Sequence, residues 1–196
     1  MRSNPATSFR GAWTLVIALS AFAACAQAQT YNLRVIHRFF GAPDDGSIPG
    51  SPVQFDSAGN LYGTTLEGGI YNAGTVFEIA RDGTESILHS FAKVDGSYVG
   101  GGVLTIDPAT GDLYGATQGG QNDYGQIYEL AADGTFTVLH DFAGPDGRFP
   151  VGSLIRDQAG NLYGVTEAGG TEDKGTIYKL TPNGTLTTLH VFIGEA

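Results

Sequence analysis

The segment NLYGVTEAGG, residues 161–170, has two near copies upstream, NLYGTTLEGG at 60–69 and DLYGATQGG at 112–120. Catalysis needs one constellation in one place, so a segment used three times reads as a building element. Its tyrosines, Tyr62, Tyr114 and Tyr163, are spaced 52 and 49 residues apart. An independent landmark keeps the same pitch. His37, His89, His140 and His190, spaced 52, 51 and 50, lie in the frames VIHRF, ILHSF, VLHDF and TLHVF. Two markers with one period of about 50 residues establish an internal repeat.

Each unit reads as four short strands. The first is apolar and ends in Asp (PVQFD, GVLTID, GSLIRD). After SAGN, PATGD or QAGN comes the second (NLYGTT, DLYGAT, NLYGVT), and beyond the Gly-Gly loop the third (GTVFEI, GQIYEL, GTIYKL). RDGTE, ADGTF and PNGTL then place Asp-Gly or Asn-Gly between two β-runs, the signal for a type I′ hairpin turn with positive φ at both central residues. The fourth strand carries the histidine. A return loop with DGS (45–47), DGS (95–97) or DGR (146–148) leads to the next unit.

Four antiparallel strands every 50 residues is the sequence form of a β-propeller blade. The expected fold is all-β and β-propeller-like, with three four-stranded blades: repeat 1 at 42–92, repeat 2 at 93–143 and repeat 3 at 144–196. One extra fourth-type strand, 30–41, precedes them. Glycine supplies 30 of 196 residues, about twice the ordinary share, at fixed places between the β-runs. The repeated tyrosine is expected to fill the space between blades, and the glycine after it to leave room for a close backbone or ring. The Gly-Gly pair supplies backbone angles that Cβ-bearing residues avoid. The leading strand has no blade of its own, and three blades are fewer than the four to eight that usually close a ring. The chain therefore reads first as a fragment of a longer propeller. A homodimer completing a ring and an open arc are the alternatives.

The pattern G-N-L-Y-G-x-T, Gly-Gly, G-T-[VI]-[FY]-x-[LI], D-G-T and L-H-x-F resembles the Gloeo/Verruco (GloVer) tandem repeat of exported bacterial proteins, over essentially all of residues 30–196. The resemblance implies a secreted or surface-displayed repeat protein, often longer and with a C-terminal anchoring segment. It implies no established enzymatic activity and no catalytic residues. Kelch repeats have a similar length and a Gly-Gly pair, but they call for a tryptophan after it. The only tryptophan here is Trp13.

Residues 1–28 read as a secretory signal peptide. Arg2 and Arg10 lie in an acid-free start, AWTLVIALSAFAA is an apolar run too short to span a bilayer, and AQA at 26–28 fits signal peptidase. A lipoprotein anchored at Cys25 is the minor alternative. Cleavage after Ala28 leaves no cysteine, hence no disulfide framework, and eight basic against twenty acidic residues, a net charge of −12. That balance argues against nucleic acid and anionic membrane as partners. The expected location is extracellular, cell-surface or periplasmic.

Four histidines in an acidic exported chain suggest metal or acid–base chemistry. All four occupy one repeat position, however, and a ring would distribute them about its axis. They read as structural, each tied to a backbone group or packed on the following Phe. The acidic loops APDDGS, KVDGSY and GPDGRF lack the ligand number calcium needs. VGSLI at 151–155 is no nucleophile elbow, and GGG at 100–102 opens no helix that would cradle phosphate. No catalytic residue, metal ligand or cofactor is assigned. The Gly-Gly loops vary most between copies, and loops on a rigid scaffold are where recognition concentrates. Tyr71, Asn72, Asn122, Asp123, Tyr124, Glu172 and Asp173 are therefore the ligand-face candidates, suited to a carbohydrate or protein ligand. The return loops, through Tyr98 and Phe149, should share that face. The expected role is a non-enzymatic binding or structural module. The alternative is a propeller hydrolase, lactonase or lyase with its site at the channel mouth. It would draw on the first strands, which offer Gln54, Asp56, Asp107, Arg156 and Asp157.

Overall fold

The computed structural model describes residues 32–41, 43–97, 99 and 102–194; the expected signal segment 1–28, with Cys25, lies outside these, as does Tyr98. Val35–Ala196 forms one compact unit. Repeat 1 supplies β1 (Gly46–Pro49), β2 (Gln54–Phe55), β3 (Leu61–Gly68), β4 (Thr75–Ile79) and β5 (Glu85–Ser90). Repeat 2 supplies β6 (Thr105–Ile106), β7 (Leu113–Thr117), β8 (Gln126–Leu130) and β9 (Phe136–Asp141). Repeat 3 supplies β10 (Arg148–Arg156), β11 (Leu162–Ala168), β12 (Thr176–Leu180) and β13 (Leu186–Val191). Each repeat is its own antiparallel sheet with strands paired in chain order, the histidine strand at one edge and the Asp-ended strand at the other. β1 and β2 both pair with β3 and match the two halves of β10, whose ladder breaks between Val151 and Ile155. A bulge thus joins the two halves of β10, and the first repeat breaks at the same place.

The third strands of the first two repeats are buried on both faces, which explains why they do not alternate cleanly: Val76 and Phe77, then Ile127 and Tyr128, are at most 2% exposed. Facing sheets close two cores. One holds Val76 and Phe91 of repeat 1 with Leu104, Leu113 and Tyr128 of repeat 2. The other holds Tyr114, Ile127 and Phe142 of repeat 2 with Leu154, Leu162 and Tyr178 of repeat 3. Tyr62 and Tyr114 pack into these inter-blade cores, as expected. The glycine after each repeated tyrosine makes room for a ring: a Cβ on Gly115 or Gly164 would lie 2.3 Å from Tyr128 Oη or Tyr178 Oη. In the Gly-Gly loops, a Cβ on Gly68 or Gly169 would meet the return-loop backbone at 2.5 Å, and both glycines have φ near +90°.

Two expectations change. The Asp-Gly and Asn-Gly hairpins are not type I′. Only the glycines take positive φ (93° at Gly83, 87° at Gly134, 83° at Gly184). The pair of bonds from Gly83 N to Ala80 O and from Ala80 N to Thr84 O marks a type I turn closed by a left-handed glycine, a three-residue loop with a G1 bulge. Asp82 favours this form because its Oδ1 accepts from Thr84 N at 2.9 Å. The leading segment, in turn, is not a strand over 32–41. It nevertheless sits as a fourth strand would, with Phe39 edge-on to Phe77 at 5.0 Å and His37 edge-on to Phe39 at 4.7 Å. A fourth strand gains its ladder from the third strand of its own blade, and no such partner stands beside 32–41 among the described residues.

Candidate functional site

The Gly-Gly and return loops emerge together, bonded backbone to backbone: Gly69 N to Asp45 O at 2.8 Å, Gly119 N to Ser97 O at 3.0 Å and Gly170 N to Gly144 O at 3.0 Å. All seven ligand-face candidates are exposed. Their roles divide. Asn72, Asp123 and Asp173 hold the same left-handed position, with φ of 52°, 56° and 55°. Asn72 Oδ1 accepts from Gly68 N at 3.0 Å, and Asp173 Oδ1 accepts from Gly169 N at 2.8 Å. Arg148 also clasps the Asp173 carboxylate in a bidentate pair. The Asn72 and Asp173 side chains are loop-closing devices, and Asp123 shares their backbone conformation. Tyr71, Asn122, Tyr124 and Glu172 have no such commitment beyond a long 3.4 Å bond from Asn122 Nδ2 to Phe142 O. A hollow of about 300 Å³ between the first two repeats is lined by Glu67, Asn72, Lys93 and Ser97.

A larger concavity lies elsewhere, on the first strands. A cleft of about 620 Å³ runs over Gln54, Phe55, Asp56, Leu104, Thr105, Asp107, Ser153 and Leu154. The acids of the first strands, Asp56 and Asp107 in the cleft and Asp157 outside its lining, are already engaged. Asp157 Oδ1 accepts from Ala159 N and Asn161 N, and Oδ2 from Asn161 Nδ2 at 2.7 Å and Tyr163 Oη at 3.0 Å. Above all the Asn161 amide, then its backbone N–H and the Tyr163 hydroxyl, hold the carboxyl down at about 2 against desolvation. Asp56 repeats the arrangement with Asn60 and Tyr62; desolvation pushes its pKa up, and the bonds from Asn60, Gly59 and Ala58 outweigh it. This explains the repeated Asp…Asn-Leu-Tyr: it locks the first hairpin of the blade. Repeat 2 carries Asp112 in place of the Asn. The freed Asp107 Oδ2 instead meets Arg156 Nη2 of repeat 3 at 2.8 Å, with the guanidinium 5.5 Å above the Tyr114 ring. Gln54 alone points out uncommitted, apart from a 3.5 Å contact to Phe55 O.

The histidines pack on the next Phe as expected, at 4.7 Å for His89–Phe91 and 5.0 Å for His140–Phe142. Their polar partner is a carboxylate and not a backbone group. His140 Nε2 is 2.8 Å from Asp146, and His89 Nε2 is 3.3 Å from Asp95. Burial lowers the His89 pKa, against the pull of Asp95. The aspartate is that of the return-loop Asp-Gly, whose other oxygen accepts from Ala143 N or Ala92 N. The fixed spacing of six residues, His89 to Asp95 and His140 to Asp146, was the sequence signal for this pairing.

Blades of four antiparallel strands packed face to face define a β-propeller-type repeat protein. The profile of the Gloeobacter/Verrucomicrobia repeat matches residues 22–196, and the chain belongs to that family. Solved structures agree on the fold. A virginiamycin B lyase from Staphylococcus aureus matches with a TM-score of 0.53 at 16% identity, over 79% of this chain and 45% of the lyase. A streptogramin B lyase matches at 0.54 and 19%, over 79% and 44%. A gluconolactonase from Xanthomonas campestris matches at 0.50 and 17%, over 76% and 50%. The chain thus spans about half the length of the structures it matches. No curated protein is significantly similar to it. No helix among the described residues is long and apolar enough to cross a membrane.

Proposed function

We propose that this chain is an exported, non-enzymatic binding module that takes its ligand on the loop face. One observation carries the reading. Tyr71 and Tyr124 stand 64% and 37% exposed; Asn72 closes the Tyr71 loop onto Gly68 N, and backbone bonds from Gly119 N to Ser97 O and from Phe149 N to Tyr124 O hold the Tyr124 loop. An aromatic ring on the same loop as an amide, as Tyr124 with Asn122 and Tyr71 with Asn72, suits stacking and hydrogen bonding to a sugar ring. The first-strand cleft supports the non-enzymatic side of the reading. Its aspartates, Asp56 and Asp107, are hydrogen-bonded or ion-paired into the fold, and the bonds to Asp56 hold its carboxyl below the ordinary range, which makes it a poor general acid at neutral pH.

The test is binding of the purified chain to soluble polysaccharides on a glycan array, with Tyr71→Ala and Tyr124→Ala alongside. Saturable binding lost in the double variant supports the proposal. Binding that ignores both tyrosines overturns the loop face. The second reading, a lyase or lactonase in the 620 Å³ cleft, rests on the size of that cleft and on the fold shared with such enzymes. It predicts turnover in a lactone and lyase screen, abolished by Gln54→Ala with folding intact.

A further inference from the structure

The first histidine stands apart from the others. In the later repeats, the residue that opens the fourth strand of the following blade is apolar: Phe136 stacks on His89 at 4.1 Å, and Leu186 holds the same place in β13. In repeat 1 that position is Glu85. His37 Nε2 consequently lies 3.2 Å from Glu85 Oε2 and 3.7 Å from Asp45 Oδ2, and one ligand atom from each of the three falls within 4.8 Å of the others. Glu85 Oε1 and His37 Nε2 are buried without a hydrogen-bond partner. Two carboxylates and an unpaired imidazole nitrogen, sheltered together, are a site short of positive charge.

We infer that His37, Asp45 and Glu85 form a binding site for a divalent transition ion of the zinc class. Ligands about 2.0–2.1 Å from a tetrahedral ion stand about 3.3 Å from one another, and the two distances to His37 Nε2 bracket that value. The imidazole favours zinc-like ions over calcium and magnesium, which take oxygen alone. Three protein ligands leave a fourth position for water or a neighbouring group. The site also has a structural reason to exist only here. His89, His140 and His190 ride on strands held by sheet ladders, whereas 32–41 has none. An ion shared by His37 on the leading segment, Asp45 in the return loop and Glu85 on β5 would staple that segment to the first blade.

The experiment is zinc titration of the metal-free full chain by calorimetry, with trypsin cleavage after the exposed Arg38 followed in parallel. Glu85→Leu removes a ligand and installs the apolar residue that repeat 3 has at this position, so this variant is expected to fold. One zinc ion per chain is expected, with slowed cleavage after Arg38. Glu85→Leu should weaken binding at least about 100-fold, beyond the loss typical of outer-shell partners. No zinc binding by the wild-type chain, equal binding by Glu85→Leu, or cleavage after Arg38 indifferent to zinc each overturns the assignment.

Discussion

Phe91, Phe142 and Phe192 occupy one repeat position, two residues after the histidine, and offer an experiment with its own control. Phe142 is wholly buried between the second and third blades, edge-on to Tyr178 at 5.2 Å and to His140 at 5.0 Å. Phe91 is equally buried against Tyr128 at 5.3 Å. Phe192 is 42% exposed and, among the described residues, is engaged in an aromatic contact only with His190. Phe142→Ala removes a full side chain from a closed core and leaves a cavity, so the expected loss is about 3–5 kcal/mol. Phe192→Ala removes a partly solvated ring and encloses no cavity, so about 1 kcal/mol is expected. For a unit of this size 1 kcal/mol moves the melting temperature by about 2–4 °C, which predicts a drop of about 10 °C or more against about 3 °C. The chain has no tryptophan outside the predicted signal segment, so urea and thermal melts would follow circular dichroism and tyrosine fluorescence. Equal losses at 142 and 192 would refute the reasoning, because Phe192 would then be as covered as its counterparts. A Phe142→Ala loss below about 1 kcal/mol would refute the inter-blade core itself.

Three further outcomes follow from the same contacts. Gly164→Ala should cost about 1–3 kcal/mol by driving a methyl into Tyr178 Oη and Leu154, whereas Gly184→Ala, with nothing within 4 Å, should lose only through its positive φ; urea melts separate the two. Arg156→Ala should cost about 3 kcal/mol because it strands Asp107, only 8% exposed in its side chain, and Arg156→Ala with Asp107→Ala should recover part of that loss in a double-mutant cycle. Asp157 has a depressed folded pKa, so its contribution is present above about 3.9 and disappears as pH falls through about 2, and Asp157→Asn should flatten that acid limb. His89, also depressed, acts in the same direction at higher pH: its contribution is complete above about 6.5 and falls away below, which proton NMR of the imidazole would trace.

The repeat and its blades were legible in the chain because they rest on local chemistry. Apolar runs of strand length, a glycine wherever φ turns positive, and Asp capping the next few backbone N–H groups all act within ten residues, so NLYG…GG announces itself. The face shared by the Gly-Gly and return loops was legible for the same reason. The turn type was not. Asp-Gly suits both type I′ and type I with a G1 bulge, and the choice depends on how the flanking strands twist together. Nor were the working roles of Asn72 and Asp173 visible as loop closures, since exposure and variability alone mark them as ligand residues.

What only the tertiary structure decided are the contacts between neighbouring blades. Arg156 reaches Asp107 across 49 positions and Glu85 reaches His37 across 48, about one repeat apart, where no local pattern connects them. A repeat imposes the same backbone at each such position. The exceptions, Asp112 for Asn and Glu85 for an apolar residue, look like ordinary drift in the sequence. They gain chemical meaning only when stacking sets one blade's side chains against the next, and there a single carboxylate changes a packing contact into an ion pair or a site that can hold a metal ion.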